Sequence, residues 1–134
     1  MKITDIVTNP SMILNKVSYK SLPIIDDNGN DLNVNDTFKC KYQKESNAIM
    51  VFFTRIINAN PAQLFEIEIE YIIHWDIDDT NYDIDIEEKM NNIDETERES
   101  LCYTAPSESS LLIANITRSG LMPPLIVPSN FISQ

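Results

Sequence analysis

The chain has 134 residues and carries 21 acidic against 10 basic side chains, a formal net charge of −11 at pH 7. This length predicts one domain, residues 1–134, built around a single hydrophobic core. Because the chain repels polyanions, we expect neither nucleic acid nor an anionic membrane surface as a partner. The acidity suits a basic partner or a cationic unfolded chain, and it also serves solubility alone.

The glycine and cysteine content excludes several further classes of protein and site. The only two glycines, Gly29 and Gly120, rule out glycine-rich phosphate-binding loops. Cys40 and Cys102 lie far apart without a CxxC motif, so neither a zinc site nor a disulfide framework is indicated, although a single disulfide stays open. The N-terminus has no signal-peptide apolar region, and no run approaches the about 18 apolar residues of a membrane helix. We expect a cytoplasmic protein without membrane insertion.

The chain begins with β-prone runs. Residues 2–7 and 12–19 are separated by Asn9-Pro10, which is typical of a bent or edge strand because proline cannot donate to a sheet ladder. An apolar segment, residues 22–25, and a turn around Asn28-Gly29 follow.

Three more strands are predicted after this turn. Residues 37–44 alternate apolar and polar side chains, as a half-buried antiparallel strand does. Residues 49–57 are apolar on both faces, which predicts a central or doubly covered strand. Residues 64–75 alternate again, with Glu66, Glu68 and Glu70 on one face, and a register slip of one residue would bury all three.

The sequence that follows the fourth predicted strand has the pattern of a loop and then a helix. Residues 76–85 are acidic and read as a loop. Ile86, Met90 and Ile93 have the spacing of one amphipathic helix running toward Leu101.

A second helix is predicted to open at Pro106-Ser107. Ser107 or Ser109 can cap it, and Gly120 is placed as a left-handed C-cap. Its buried stripe is predicted at Leu112, Ile113 and Ile116. The prolines that follow Gly120 require an extended chain. Strands followed by helices, without βαβ alternation, predict an α+β fold with an antiparallel sheet.

No catalytic motif stands out. The acidic run of residues 76–85 invites a calcium site, but it lacks the glycine of an EF-hand loop, and a solvated loop is favoured. His74, the only histidine, is interpreted as structural. We therefore expect no enzyme, no catalytic residue, no metal and no cofactor.

Two surfaces are candidate binding sites. The row Glu66, Glu68 and Glu70 is either a plain solvent face or an acidic platform for a basic partner. Apolar residues outside the regular elements form either a lid on the core or a groove for apolar segments of unfolded chains. The groove candidates are Leu22, Ile24, Ile25, Leu121, Met122, Leu125 and Val127.

Residues 117–131 read TRSGLMPPLIVPSNF, and this stretch resembles the C-terminal part of the SecB family of protein-export chaperones. In the family a helix ends in an Arg-x-Gly step, followed by a proline link, an apolar segment, a second proline and Asn-Phe. The matching residues are Arg118, Gly120, Pro123, Leu125, Pro128, Asn130 and Phe131. Upstream, the likeness is one of layout.

The resemblance implies a SecB-like fold, with a four-stranded antiparallel sheet and helices packed on one face. It implies a cytosolic, nucleotide-independent holdase for unfolded polypeptides that forms a dimer or a dimer of dimers. Clients would occupy apolar grooves, and the export motor SecA would dock on the acidic outer sheet, where Glu66 and Glu68 fall.

Three departures from the family pattern weaken the expectation that SecA docks on this protein and that it forms a dimer of dimers. The long helix that normally follows Asn-Phe is not in this sequence, which has three residues after Phe131. Asn9, Ser11 and Ile13 stand where motor-docking members carry acids, and residues 76–85 replace a glycine-rich stretch.

These features predict a holdase, with dimerisation through the first strand and the helix faces. The alternative is a protein of the same fold dedicated to one specific partner, such as an antitoxin or a phage protein.

Overall fold

The structure, a computed structural model, describes residues 2–21, 31–60, 65–78, 85–118 and 126–132. A short 3₁₀ helix, Ile3–Asp5, is followed by four strands and three helices. The strands are β1 (Val7–Ser21), β2 (Asp31–Gln43), β3 (Ala48–Asn60) and β4 (Phe65–Ile77), and the helices are α1 (Ile86–Asn91), α2 (Glu95–Leu101) and α3 (Ala105–Arg118). This order confirms the predicted α+β fold.

The strands form one antiparallel sheet in the order β1-β4-β3-β2. β3 is central and β1 lies at an edge, as the sequence predicts for both. Asn9 takes a φ of 53° where the pairing of β1 with β4 changes register, so the Asn9-Pro10 step produces the expected bend. A second irregularity at Asn15 lets Leu14 and Val17 both fall opposite inward-facing residues of β4.

The helices cover one face of the sheet, which we call the inner face. Every second residue of β3 and β4 is buried there and joins one core with Ile86, Leu101 and Ile113 of the helices. The buried sheet residues are Ile49, Val51, Phe53, Arg55, Ile57, Ile67, Ile69, Tyr71 and Ile73. Glu66, Glu68 and Glu70 lie on the opposite, outer face, which confirms the predicted register of β4.

The expectation of one helix from Ile86 toward Leu101 is wrong, because the chain forms two. α1 ends at Asn91, and Asp94 then caps α2 by accepting a hydrogen bond of 2.8 Å from the Glu97 amide. The hydrogen bond to the Glu97 amide, the largest cause, holds the pKa of Asp94 below its ordinary value, and Lys2 adds to it.

Two other element boundaries also differ from the prediction. Residues 3–5 are helical rather than extended, and the Asp5 carboxylate accepts a hydrogen bond from the Lys2 amide. α3 begins at Ala105, since its first helical bond joins the Glu108 amide to the Thr104 carbonyl. The hydroxyls of Ser107 and Ser109 donate to carbonyls three residues earlier instead of capping the helix.

Candidate functional site

The acidic row on β4 is present, but β1 engages two of its three members. Lys16 Nζ lies 2.9 Å from Glu68 Oε2, and Asn15 Nδ2 donates to Glu70 Oε1 at 2.9 Å. The hydrogen bond and the charge of Glu68 raise the pKa of Lys16 above its ordinary value. Glu66 is exposed. The row is therefore one surface whose negative charge is partly compensated by the edge strand.

Of the seven predicted groove residues, the structure describes Val127. Its side chain is buried in the core rather than exposed. Its neighbour Ile126 points the other way and is 79% exposed. The other six lie outside the described residues: Leu22, Ile24, Ile25, Leu121, Met122 and Leu125. Gly120 lies outside them as well.

A buried arginine organises the region around Val127. Arg55 lies on the inner face of β3 with no solvent exposure, at a position where the alternation of the strand otherwise buries apolar side chains. Its Nε and Nη2 donate to the two carboxylate oxygens of Asp36 on β2, at 2.7 and 2.8 Å. The pair has the bidentate geometry that makes such charge-assisted hydrogen bonds strong.

The same guanidinium holds residues 126–132, which we call the C-terminal segment. Nη1 donates to the Pro128 carbonyl at 2.7 Å, and Nη2 donates to the Asn130 carbonyl at 2.8 Å. Nη1 also lies 3.2 Å from Ser110 Oγ on α3, and that hydroxyl is 3.1 Å from the Val127 carbonyl and 2.6 Å from the Pro128 carbonyl. We call Arg55, Asp36 and Ser110 the arginine clasp.

Carboxylates and rings hold the far end of the C-terminal segment. The amide of Phe131 donates to Glu99, with the nearer oxygen at 3.0 Å, and the amide of Ile132 donates to Asp36 Oδ2 at 2.8 Å. The Phe131 ring packs edge-on against Phe53 with centroids 6.0 Å apart, beneath the Arg98 guanidinium at 5.3 Å. The Pro-Ser-Asn-Phe motif is thus a docked part of the fold.

Two exposed apolar residues are sequence neighbours of the residues that join α3 to the C-terminal segment. Leu111, which follows Ser110, is 62% exposed, and Ile126 precedes Val127 and is exposed to a still greater degree. We call this place, where Ser110 meets Val127 and Pro128, the seam.

A second apolar surface lies on β1. Leu14, Val17 and Tyr19 pair with inward-facing residues of β4, yet each remains between 45% and 49% exposed. Among the described helices, α3 packs on β3 and β4, and it leaves these three side chains of the edge strand partly exposed. We call these three residues the β1 strip.

The acidic run does not assemble a metal site among the residues that the structure describes. Asp76 and Asp78 line a polar crevice of about 410 Å³ with Asn9 and Asn47, whereas Asp85 caps α1 through the Glu88 amide. Residues 79–84 lie outside the described part. His74 Nδ1 is 3.7 Å from Asp76 Oδ1 on the partly exposed outer face.

Both cysteines are unpaired thiols in this structure, so the disulfide left open by the sequence is not formed. Burial raises the pKa of Cys40 to about 11. Burial, and then the charge of Glu99, raise the pKa of Cys102 to about 12. Both groups are protonated and poorly reactive near neutral pH.

No family model and no curated protein matches the sequence. A SecB-like chaperone from Mycobacterium tuberculosis, solved in complex with a ChAD peptide from the HigA1 antitoxin, has the same fold with a TM-score of 0.65. It is 11% identical, and the match covers 98% of this chain and 93% of that chain. A protein of unknown function from Streptococcus agalactiae matches with a TM-score of 0.51 at 14% identity, over 90% of this chain and 99% of that one.

At these identities the comparison concerns the fold, and the predicted SecB-like fold is confirmed. The first neighbour is a chaperone and the second has no established function. Within the described ranges, no helix has the length and apolarity needed to cross a membrane.

Proposed function

We propose that this chain is a holdase, a chaperone that binds non-native polypeptide without catalysis, nucleotide or cofactor. The observation that carries the proposal is the exposure of Leu111 and Ile126 at the seam of a SecB-like fold. A contiguous exposed apolar patch marks a surface that binds other proteins, and we propose that Leu111 and Ile126 contribute to one such patch. Client side chains would be buried against them, while the net charge of −11 attracts cationic clients and keeps the complex in solution.

Binding at each such contact is weak, as release requires. Full burial of one Leu or Ile side chain contributes about 1.5–3 kcal/mol, far below the free energy of a tight complex. Useful affinity then arises when one unfolded client engages several seams at once, which raises the effective concentration at each further site. The predicted groove residues Leu121, Met122 and Leu125 precede Ile126 in the sequence, and we propose that they extend the same client surface.

A homodimer, alone or paired into a dimer of dimers, would supply several seams. We propose that it forms through the β1 strip of Leu14, Val17 and Tyr19 together with the helix faces. These side chains point toward the inner side without cover from the described helices, on an edge strand whose outer backbone groups are available for pairing. A two-fold contact covers the same patch on both copies. A monomer in sedimentation equilibrium would count against this assembly.

For a link to protein export, we propose the row Glu66, Glu68 and Glu70 as the docking face for SecA or another protein with a basic surface. Lys16 competes for this row because it already pairs with Glu68. The variant Lys16→Ala should therefore strengthen a salt-sensitive association with SecA, and Glu66→Gln should weaken it. Equal binding by both variants and the wild type would argue against docking on this face.

The second candidate is a dedicated interaction protein with one specific partner, such as an antitoxin or a phage protein, and no general holdase activity. The observation that favours it is the neighbour from M. tuberculosis, a SecB-like chaperone solved with an antitoxin peptide. Either function fits a reducing cytoplasm, the compartment that we propose from the two unpaired thiols.

Aggregation of two unrelated unfolded clients separates the candidates. A holdase suppresses the aggregation of both at a few-fold molar excess, whereas a dedicated binder suppresses neither. The variant Leu111→Asp should lose part of the protection. Its matched control is Asn115→Asp, which adds the same charge on the exposed side of α3 without removing an apolar side chain.

A further inference from the structure

We propose that Arg55 is the positioning residue of the client surface, because it holds the C-terminal segment from inside the core and so keeps Ile126 beside α3. The inference rests on the proposed holdase function. In this inference the buried Arg55, which no client contacts, fixes the position of the exposed Ile126, which a client does contact.

Arg55 is an unusual occupant of its place in the sheet. Burial of an ionised side chain is costly unless its charge is paired and its donors are satisfied. Asp36 satisfies the charge, but two of the remaining acceptors, the Pro128 and Asn130 carbonyls, belong to the C-terminal segment. A Leu or Ile at position 55 would fill the core without reaching either carbonyl.

The C-terminal segment depends on these contacts because it is neither helix nor strand. Its backbone is held by side chains of three elements: Arg55 and Asp36 from the sheet, Ser110 from α3, and Glu99 from α2. No regular ladder of backbone hydrogen bonds would keep the segment in place if the clasp were released.

The position of the C-terminal segment decides which of its apolar side chains is buried and which is exposed to a client. With the Pro128 carbonyl held, the Val127 side chain is buried in the core and the Ile126 side chain is exposed to solvent. Two apolar side chains held at a fixed separation bind a client with less loss of conformational entropy than two that move independently. Release of the clasp should therefore weaken client binding without removing any residue that the client contacts.

The test combines Arg55→Lys, Ser110→Ala and the control Ser107→Ala. Lysine keeps the charge beside Asp36 but cannot supply the five donors of a guanidinium. Ser110→Ala removes the link from α3 to the segment at a partly exposed position, so it remains informative where Arg55→Lys does not fold. Ser107 is a matched control, because its hydroxyl bonds the Thr104 carbonyl of its own helix and not the segment.

Two quantities are measured on each full-length variant. The first is hydrogen exchange at the amides of Phe131 and Ile132, which donate to Glu99 and Asp36, compared with the core amides of β3. The second is the dissociation constant for a fluorescent, reduced and carboxamidomethylated ribonuclease A, a basic client that stays unfolded.

For Ser110→Ala we expect exchange at both amides to accelerate about 3- to 10-fold. The client dissociation constant should rise by a similar factor, because this factor corresponds to the usual net contribution of one hydrogen bond. Core exchange should not change, which separates positioning from a general loss of stability. Arg55→Lys should have a larger effect on both quantities, and Ser107→Ala should match the wild type.

Three results would overturn the inference. Unchanged exchange at Phe131 and Ile132 in Ser110→Ala would mean that the clasp does not hold the segment. Faster exchange with unaltered client affinity would mean that the segment's position is irrelevant to binding, and the holdase proposal would stand. A wild-type protein that binds no client would remove the proposed function and the inference together.

Discussion

Replacement of Arg55 by methionine should be among the most damaging single changes in this protein. The substitution leaves Asp36 as a buried carboxylate without a counter-charge, since both groups have no exposed side-chain surface. Removal of one partner from a buried ion pair costs about 3–5 kcal/mol. The lost hydrogen bonds to the Pro128 and Asn130 carbonyls add to this cost, by no more than about 0.5–1.5 kcal/mol each, because both residues are exposed. The expected loss is about a fifth or more of the roughly 5–15 kcal/mol that stabilises a typical domain.

Urea unfolding measures this loss as a fall in the transition midpoint. With a slope of about 1–3 kcal/mol/M, the midpoint should drop by roughly 2 M. The control is Arg98→Met, the same substitution at an arginine stacked on Phe131, where a cation–π contact of about 0.5–1 kcal/mol is lost. The double variant Asp36→Asn with Arg55→Met should recover about 2 kcal/mol relative to Arg55→Met, because the unpaired charge is gone.

The reasoning would be refuted if Arg55→Met lowered the stability by no more than Arg98→Met. It would also fail if the two substitutions in the double variant were strictly additive. Additivity would mean that the two side chains do not interact energetically, in spite of their bidentate geometry.

The other predictions concern assembly, the core and pH. Leu14→Glu, which places a charge on the β1 strip, should convert the proposed dimer to a monomer in sedimentation equilibrium without loss of secondary structure. Phe131→Ala should lower the free energy of unfolding by about 3 kcal/mol, because it removes a buried ring that contacts Phe53. Cys102 should resist alkylation at pH 8 in the native state. Since burial raises the thiol pKa values of both Cys40 and Cys102 above the ordinary 9.0, stability should be full below about pH 9 and fall above it, where the unfolded chain loses these protons first. Rapid native alkylation, or a midpoint that is constant from pH 8 to 10, would contradict the last prediction.

The sheet was readable from the sequence because its signals are periodic. The alternation along β4 places Glu66, Glu68 and Glu70 outside and buries Ile67 and Ile69, and no other register is compatible with it. The apolar character of β3 on both faces and the Asn9-Pro10 break correctly identified the central and edge strands.

The helical region was less readable because its decisive signal is a single side chain. The spacing of Ile86, Met90 and Ile93 suits one continuous helix, but the Asp94 carboxylate ends that pattern by capping a new one. An aspartate followed three residues later by Glu97 is itself a helix start signal, and the apolar spacing alone does not reveal it.

The clasp escaped prediction because its partners are distant in sequence. Arg55 could have been noticed, since the period of two along β3 places it between the buried Phe53 and Ile57. A charge at such a position requires a partner, but the alternation does not say which. Asp36 is supplied by the neighbouring strand, and the carbonyls come from the far end of the chain.

The exposure of Leu14 on β1 was also beyond the reach of sequence periodicity. Its apolar character favours burial, and its pairing with Tyr71 places it on the inner face. The position of α3 over β3 and β4 shows that, among the described helices, α3 does not cover the β1 strip.

The holdase function is tested most directly by light scattering during the dilution of two unrelated, chemically unfolded proteins from denaturant, with wild-type protein, Ile126→Asp and Asn115→Asp. We predict that the wild type and Asn115→Asp suppress the scattering of both clients, and that Ile126→Asp is measurably weaker with each. Protection of neither client by the wild type, at concentrations well above those of the clients, would contradict the holdase function.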